Sequence, residues 1–234
     1  MMDQKSQSKK APAYVPFFPG EAVPMDRMPT EVSGFTEMYL LDLVMDVKGN
    51  KLSIFLSGSE TATNRKFKVW RTELVNPARI TDLENAAKHL LDGKGEQVDF
   101  TQSGQCGHSQ KPTNLSVNLK RNCFLLFRVN GKIKNIRFSK DSDAFTREDI
   151  DTSPLKWPAR FANGSLVRDG KNLGAGCTAA MFAYSWTDTS GKEGWERFNI
   201  QLDVVDDDVA SEYDAYIPII IDPDVRFPGG NEGP

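Results

Sequence analysis

A chain of 234 residues with 39% hydrophobic and 26% charged residues has the balance of a globular protein and the length for one large domain or two small ones. Its net charge of −3 gives no electrostatic reason to expect nucleic acid or an anionic membrane as a partner. The longest apolar runs, CFLLF and IPIII, are far shorter than the roughly 20 residues of a membrane-crossing helix.

Residues 1–34 carry Pro12, Pro16, Pro19, Pro24 and Pro29 behind a polar start, so an extended, irregular arm is expected there. No apolar stretch follows its first charges as in a secretory signal, and a cytoplasmic location is the expectation. Within the arm, YVPFFPG is apolar enough to dock in a groove or on a neighbouring subunit. Three cysteines, Cys106, Cys123 and Cys177, are an odd number without a CxxC pair, which reads as reduced thiols and not as a disulfide scaffold.

Regular structure is expected from Phe35. In LLDLVMDVKGNKLSIFLS, Leu41, Leu43, Met45 and Val47 alternate with their neighbours, and Leu52, Ile54 and Leu56 repeat the pattern after Gly49-Asn50, a hairpin signature. RKFKVWRTEL alternates Phe67 and Val69 with basic residues as a third strand. Then the period changes: Leu83, Ala86, Ala87, Leu90 and Leu91 follow helical spacing, which predicts an amphipathic helix over 81–92. Thr81 and Glu84 read as its capping box and Gly93 as its left-handed stop.

NLSVNLKRNCFLLFRVNGKIKNIRF gives a strand through Leu115, Val117 and Leu119, then a second hairpin turning at Asn130-Gly131. Residues 139–171 read as long loops with a short helical turn near TREDI. CTAAMFAYSW places Phe182, Tyr184 and Trp186 on one face, and WERFNIQLDVV sets Phe198, Ile200, Leu202 and Val204 opposite a polar face of Arg197, Asn199, Gln201 and Asp203. In AYIPIIID, Pro218 marks an edge strand or a bulge. The run Ile219–Ile221 suggests cover on both faces, and Asp222-Pro223 ends the strand.

The fold expected is therefore mostly β: an antiparallel β-sandwich of about eight strands with one amphipathic helix. The arm covers 1–34, one domain covers 35–226, and a flexible tail covers 227–234. Two small β-domains divided within 139–171 are the alternative.

Several clusters are candidates for chemistry. Asp206, Asp208, Asp222 and Asp224 are loop acids of the kind that bind calcium, although the D-x-D-x-D-G pattern is missing; no cofactor is expected otherwise. Cys106 and His108 share a face of SGQCGHSQ if it is extended, with His89 as the alternative base, as a cysteine hydrolase would need. Trp157, Tyr184, Trp186 and Trp195 would form an aromatic ligand platform, for a sugar among others, or else serve as core and cross-strand pairs. The glycines of RDGKNLGAGC lack the spacing of a phosphate loop.

The C-terminal PIIIDPDVRFPGG, preceded by WERFNIQLDVV, resembles a group of uncharacterised small bacterial proteins ending in a similar I-D-P-D…P-G-G tail, some labelled "nucleotide synthetase". The resemblance covers about the last 40 residues and implies a bacterial source. Its motif carries no mechanism, so no catalytic residue is taken from it. Without a complete catalytic set, the function expected is non-enzymatic: interaction with a protein partner or self-assembly, with small-ligand or carbohydrate binding as the alternative and a Cys-dependent hydrolase third.

Overall fold

The computed structural model describes residues 25–48, 51–59, 66–102, 117–119, 121–131, 133, 135–139, 144–147, 156–162, 164–167, 177–185, 194–205, 216–221 and 224–227. The fold is mostly β with one helix. In chain order the elements are β1 (Glu37–Lys48), β2 (Lys51–Leu56), β3 (Lys66–Glu73), α1 (Ile80–Leu91), β4 (Glu96–Gln102), β5 (Val117–Asn118), β6 (Cys123–Gly131), β7 (Ile136–Phe138), β8 (Phe145–Arg147), β9 (Lys156–Ala162), β10 (Ser165–Val167), β11 (Ala179–Tyr184), β12 (Gly194–Val205), β13 (Tyr216–Ile221) and β14 (Asp224–Phe227). The strands outnumber the eight expected because β4, β9 and β14 lie in stretches that read as loops or turns, and because β8 and β10 have only three residues each, too few for a period to register.

The spine is β1 beside β6. They run parallel, from Met38 opposite Phe124 to Met45 opposite Gly131. On one face stand Tyr39, Leu41, Leu43, Met45, Cys123, Leu125 and Phe127, and on the other Met38, Leu40, Phe124 and Leu126. Both faces are buried, as a parallel pair requires. From this spine a larger sheet extends in the order β10-β9-β11-β6-β1-β3-β4-β5-β14-β12, with β2 also on β1. Its pairs are antiparallel apart from β1–β6 and β5–β14, two exceptions to the wholly antiparallel arrangement expected.

A smaller sheet forms around β12. Through Gly194–Arg197 this strand pairs with β14 in the larger sheet; from Phe198 on it pairs with β8, β7 and β13. The two sheets share an aromatic cluster. Phe127 and Phe182 of the larger meet Phe145 and Phe198 of the smaller, with ring centroids 4.9 Å apart for Phe145–Phe182 and Phe182–Phe198. Tilted and edge-on rings at this spacing add to simple burial.

The opposite face of the larger sheet is covered by α1, through Leu83, Ala86, Ala87 and Leu90, and by Met25, Met28, Val32 and Phe35. Trp157 joins this side, 5.7 Å from Phe35 and stacked 6.3 Å from Phe124. It sits at an irregularity where β9 slips against β11, with a φ of 54°. That backbone is costly for a bulky residue, and the bulge re-aims the indole into the core.

Several local expectations need correction. The helix starts one residue earlier than predicted, because Ile80 packs against the core. Its capping contact is the Arg79 N–H donating to Asp82 Oδ2 at 2.9 Å, in place of the Thr81–Glu84 box. Gly93 does end it, with φ 73°: Gly93 N–H donates to the Leu90 carbonyl and Lys94 N–H to that of His89, a Schellman closure. Residues 139–171 hold β8, β9 and β10 where loops were expected, with β8 covering part of the TREDI stretch. Ile220 is 46% exposed, so the isoleucine run is not covered on both faces. The expected edge strand, β13, pairs with β12 alone among the described residues.

The largest correction is at Asn130-Gly131. These residues do not turn a hairpin; they continue β6 beside Val44 and Met45 of β1. Gly131 has φ 142°, and a Cβ there would lie 2.6 Å from the Met45 carbonyl oxygen. Glycine is needed for close backbone approach, and a sequence shows that no differently from turn chemistry. Gly131→Ala is therefore expected to destabilise the protein by about 2–4 kcal/mol in urea unfolding. A loss under about 1 kcal/mol, the ordinary cost of a strained turn position, would contradict this close approach.

Candidate functional site: a fork between two strands

The edge of β1 away from β6 changes partner along its length. Glu37–Leu40 pair with β3 and Leu43–Lys48 with β2. Between them, the Asp42 carbonyl accepts from Ser57 N–H at 2.9 Å. From Lys66 to Val69, β3 keeps β4 on one edge and, among the described residues, has no strand on the other. On its far side β2 likewise has no partner strand among them. The open edge of β3 and the end of β2, at Leu56–Gly58, border a cleft of about 510 Å³, completed by Leu40–Asp42 of β1 and Gln97 of β4.

The cleft has an apolar floor and a polar rim. Leu41, Leu56, Phe67 and Val69 are buried and belong to the cluster between the sheets. Lys66, Lys68, Ser57 and Gln97 are exposed; Lys68 meets Asp99 at 2.5 Å, a surface pair worth little. Gly58 turns the chain at the mouth with φ 86°, and a Cβ there would lie 3.5 Å from Phe67 Cβ.

Two charged clamps fix the strands that form the fork. Arg128 of β6 grips Asp42 of β1 with two hydrogen bonds of 2.5 and 2.9 Å and also donates to the Leu91 carbonyl at the end of α1. At the base of the fork, buried Glu37 accepts from Tyr39 Oη at 2.5 Å, from Arg71 at 2.8 Å and from Arg121 at 2.9 Å. Arg71 extends the clamp to Glu96 of β4 at 2.8 Å. Burial alone would push the Glu37 carboxyl up, but hydrogen bonds from Tyr39 and Arg121 and the charges of Arg121 and Arg71 outweigh it and hold the group below its ordinary value. Burial, then the bond to Glu37, raises the Tyr39 phenol. Burial and the Glu37 charge raise the Cys123 thiol, so this cysteine is a packing residue.

The residues singled out in the sequence lie elsewhere. His89 is exposed near the end of α1, while Cys106 and His108 lie outside the described residues. Trp157 and Tyr184 are not brought together: Trp157 packs on the helix side of the larger sheet and Tyr184 is buried between the sheets. Trp186 and the side chain of Trp195 lie outside the described part. So do Asp206, Asp208, Asp222 and the side chain of Asp224, whose backbone opens β14. Among the described residues, no three His, Cys, Asp or Glu side chains are grouped to hold a metal ion, and no helix is long and apolar enough to cross a membrane. No protein-family model matches the chain, and no curated protein matches it in sequence.

Sequence reasoning passed over Glu37, Arg71 and Arg121 because they meet across separations of 34 and 84 residues, which no local period records. The available signal was the pair Glu37 and Tyr39, two apart and so on one face, at the head of an otherwise apolar strand. A carboxyl held below its ordinary 4.5 binds protons less readily folded than unfolded. Its stabilisation is therefore complete above that value and is lost as pH falls through the lower, folded one. Glu37→Gln is expected to lower stability at pH 7 by about 2 kcal/mol, with the gap to wild type closing below about pH 4. Thermal unfolding across pH 3–7 checks this, and a pH-independent gap would contradict it.

Proposed function

We propose that this protein is a non-enzymatic interaction module that takes an extended, apolar segment into the fork between β2 and β3. The supporting observation is the open edge of β3 bordering a cleft closed on the other side by the end of β2. Lys66–Val69 offers about 13 Å of ladder, backbone donors and acceptors can pair with an added strand, and the apolar floor can take alternate side chains. The volume of about 510 Å³ lies within the range of ligand-sized sites.

The chain carries a segment of matching chemistry in Tyr14–Phe18 of its proline-aromatic arm, and the reading commits to that segment from a second copy, making the function self-assembly by arm exchange. A cytoplasmic setting belongs to the same reading: Cys123 and Cys177 are free and buried, as suits a reducing compartment. The tail resemblance adds no catalytic residue to it.

Sedimentation velocity of the full chain over a wide concentration range tests this. Wild type is expected to associate. The double variant Phe17→Ser, Phe18→Ser and the rim variant Ser57→Trp, which keeps the backbone bond to Asp42, are each expected to shift association to at least tenfold higher concentration, about 1.4 kcal/mol. A wild type that remains monomeric throughout, or variants that assemble unchanged, would overturn arm exchange.

A further inference from the structure

The smaller sheet has a second buried surface on the side away from the aromatic cluster. Along β12 the even positions Phe198, Ile200 and Leu202 enter that cluster, so Asn199, Gln201 and Asp203 face the other way. In register with them stand Thr146, opposite Asn199, and Arg137, opposite Asp203. The alternation suggests a wet face, yet Arg137, Ser139, Thr146, Gln201 and Asp203 are all buried. Gln201 Nε2 donates to Thr146 Oγ1 at 2.9 Å, which satisfies part of this layer.

Arg137 is different. It is only 5% exposed, and neither its Nε nor its Nη2 has a hydrogen-bond partner among the described residues. A buried lysine or carboxyl in that position could shed its charge by titrating, but a guanidinium cannot. Leaving such donors unmet is costly, and a planar fork of N–H groups matches two oxygens of a carboxylate or phosphate. A second guanidinium lies close by: Arg160 donates to the Ser139 carbonyl, two residues from Arg137. The same stretch touches Cys177, whose carbonyl accepts from Phe138 N–H at 2.7 Å. Both arginine charges reach the Cys177 thiol, opposing the burial that raises it. Asp203, across the ladder, is the carboxylate that would compete with an incoming anion.

We propose that this buried polar face binds a small oxyanion, with the Arg137 guanidinium as its principal ligand and Arg160 as neighbouring positive charge. The depth of Arg137 restricts the occupant to a small ion or to one carboxylate or phosphate group at the end of a larger molecule.

Thermal unfolding of the full chain at constant ionic strength, in chloride alone and with inorganic phosphate, sulfate or acetate, tests the proposal and separates the oxyanion classes. At least one of the three is expected to raise Tm by about 5 °C or more at a hundredfold excess over Kd, with a stabilisation that follows ln(1 + c/Kd) at anion concentration c. Arg137→Met is expected to match or exceed the wild-type Tm in chloride, since it removes two buried donors without partners among the described residues, and to abolish the anion response. Asp203→Asn is expected to retain or strengthen that response. No such shift in wild type, or a shift unchanged in Arg137→Met and so due to an adventitious ion only, overturns the proposal. So does a marked loss of Tm by Arg137→Met in chloride, which would reveal an arginine already satisfied within the chain. Should that variant not fold, Arg137→Lys keeps the charge without the fork. Its Kd for the anion, from the concentration dependence of Tm, is expected about tenfold higher, and an unchanged Kd would equally overturn the proposal.

Discussion

The fold depends on the parallel pairing of β1 with β6. Parallel neighbours need cover on both faces, and most other features of the described structure meet that demand. One face is closed by the aromatic rings of the smaller sheet; the other is closed by α1, the segment from Met25 to Phe35, and Trp157. The pairing also explains two local peculiarities. Gly131 exists because β6 must come within backbone contact of Met45, and Arg128 reaches Asp42 because the two residues stand side by side in register.

The fork follows from the same spine. A single edge of β1 carries two partners in succession, and β3 must separate from that edge where β2 takes over. Such a division would open a weak point in the sheet unless the strands were fixed around it. The Glu37 clamp does this below the fork and the Asp42–Arg128 pair beside it, each with part of its charge withdrawn from water, where hydrogen-bonded ion pairs matter more than at the surface. The cleft is thus bounded by anchored strands, a better setting for recognition than a mobile loop.

Much of the fold is legible in the sequence, and the failures have physical causes. The first hairpin, β3, the helix and the apolar faces of β11 and β12 follow from periods of 2 and 3.6 that run long enough to be read. Gly93 is recognisable because helix ends and glycine are linked by backbone sterics alone. Asn130-Gly131 misleads because close approach and tight turning select the same residue. Strands of two or three residues have no period. The candidate sites are the least legible part: Glu37, Asp42, Arg71 and Arg128 take their roles from partners that are distant in sequence, and Arg137 with Asp203 looks solvated until the burial of that face is known. Conversely, the tryptophans and cysteines that draw attention in the sequence are, where described, mostly packing residues.

The junction made by β14 bears on how the molecule is made. This four-residue strand joins β5, more than a hundred positions earlier in the chain, to β12. Until residues 224–227 leave the ribosome, β5 and the first part of β12 each lack this neighbour and present unpaired backbone to other chains. Loss of so short a segment would leave two sheet edges open. Premature termination near Ile221 is thus a hazard for aggregation, and the late segment acts as a seal on the edges of strands made earlier.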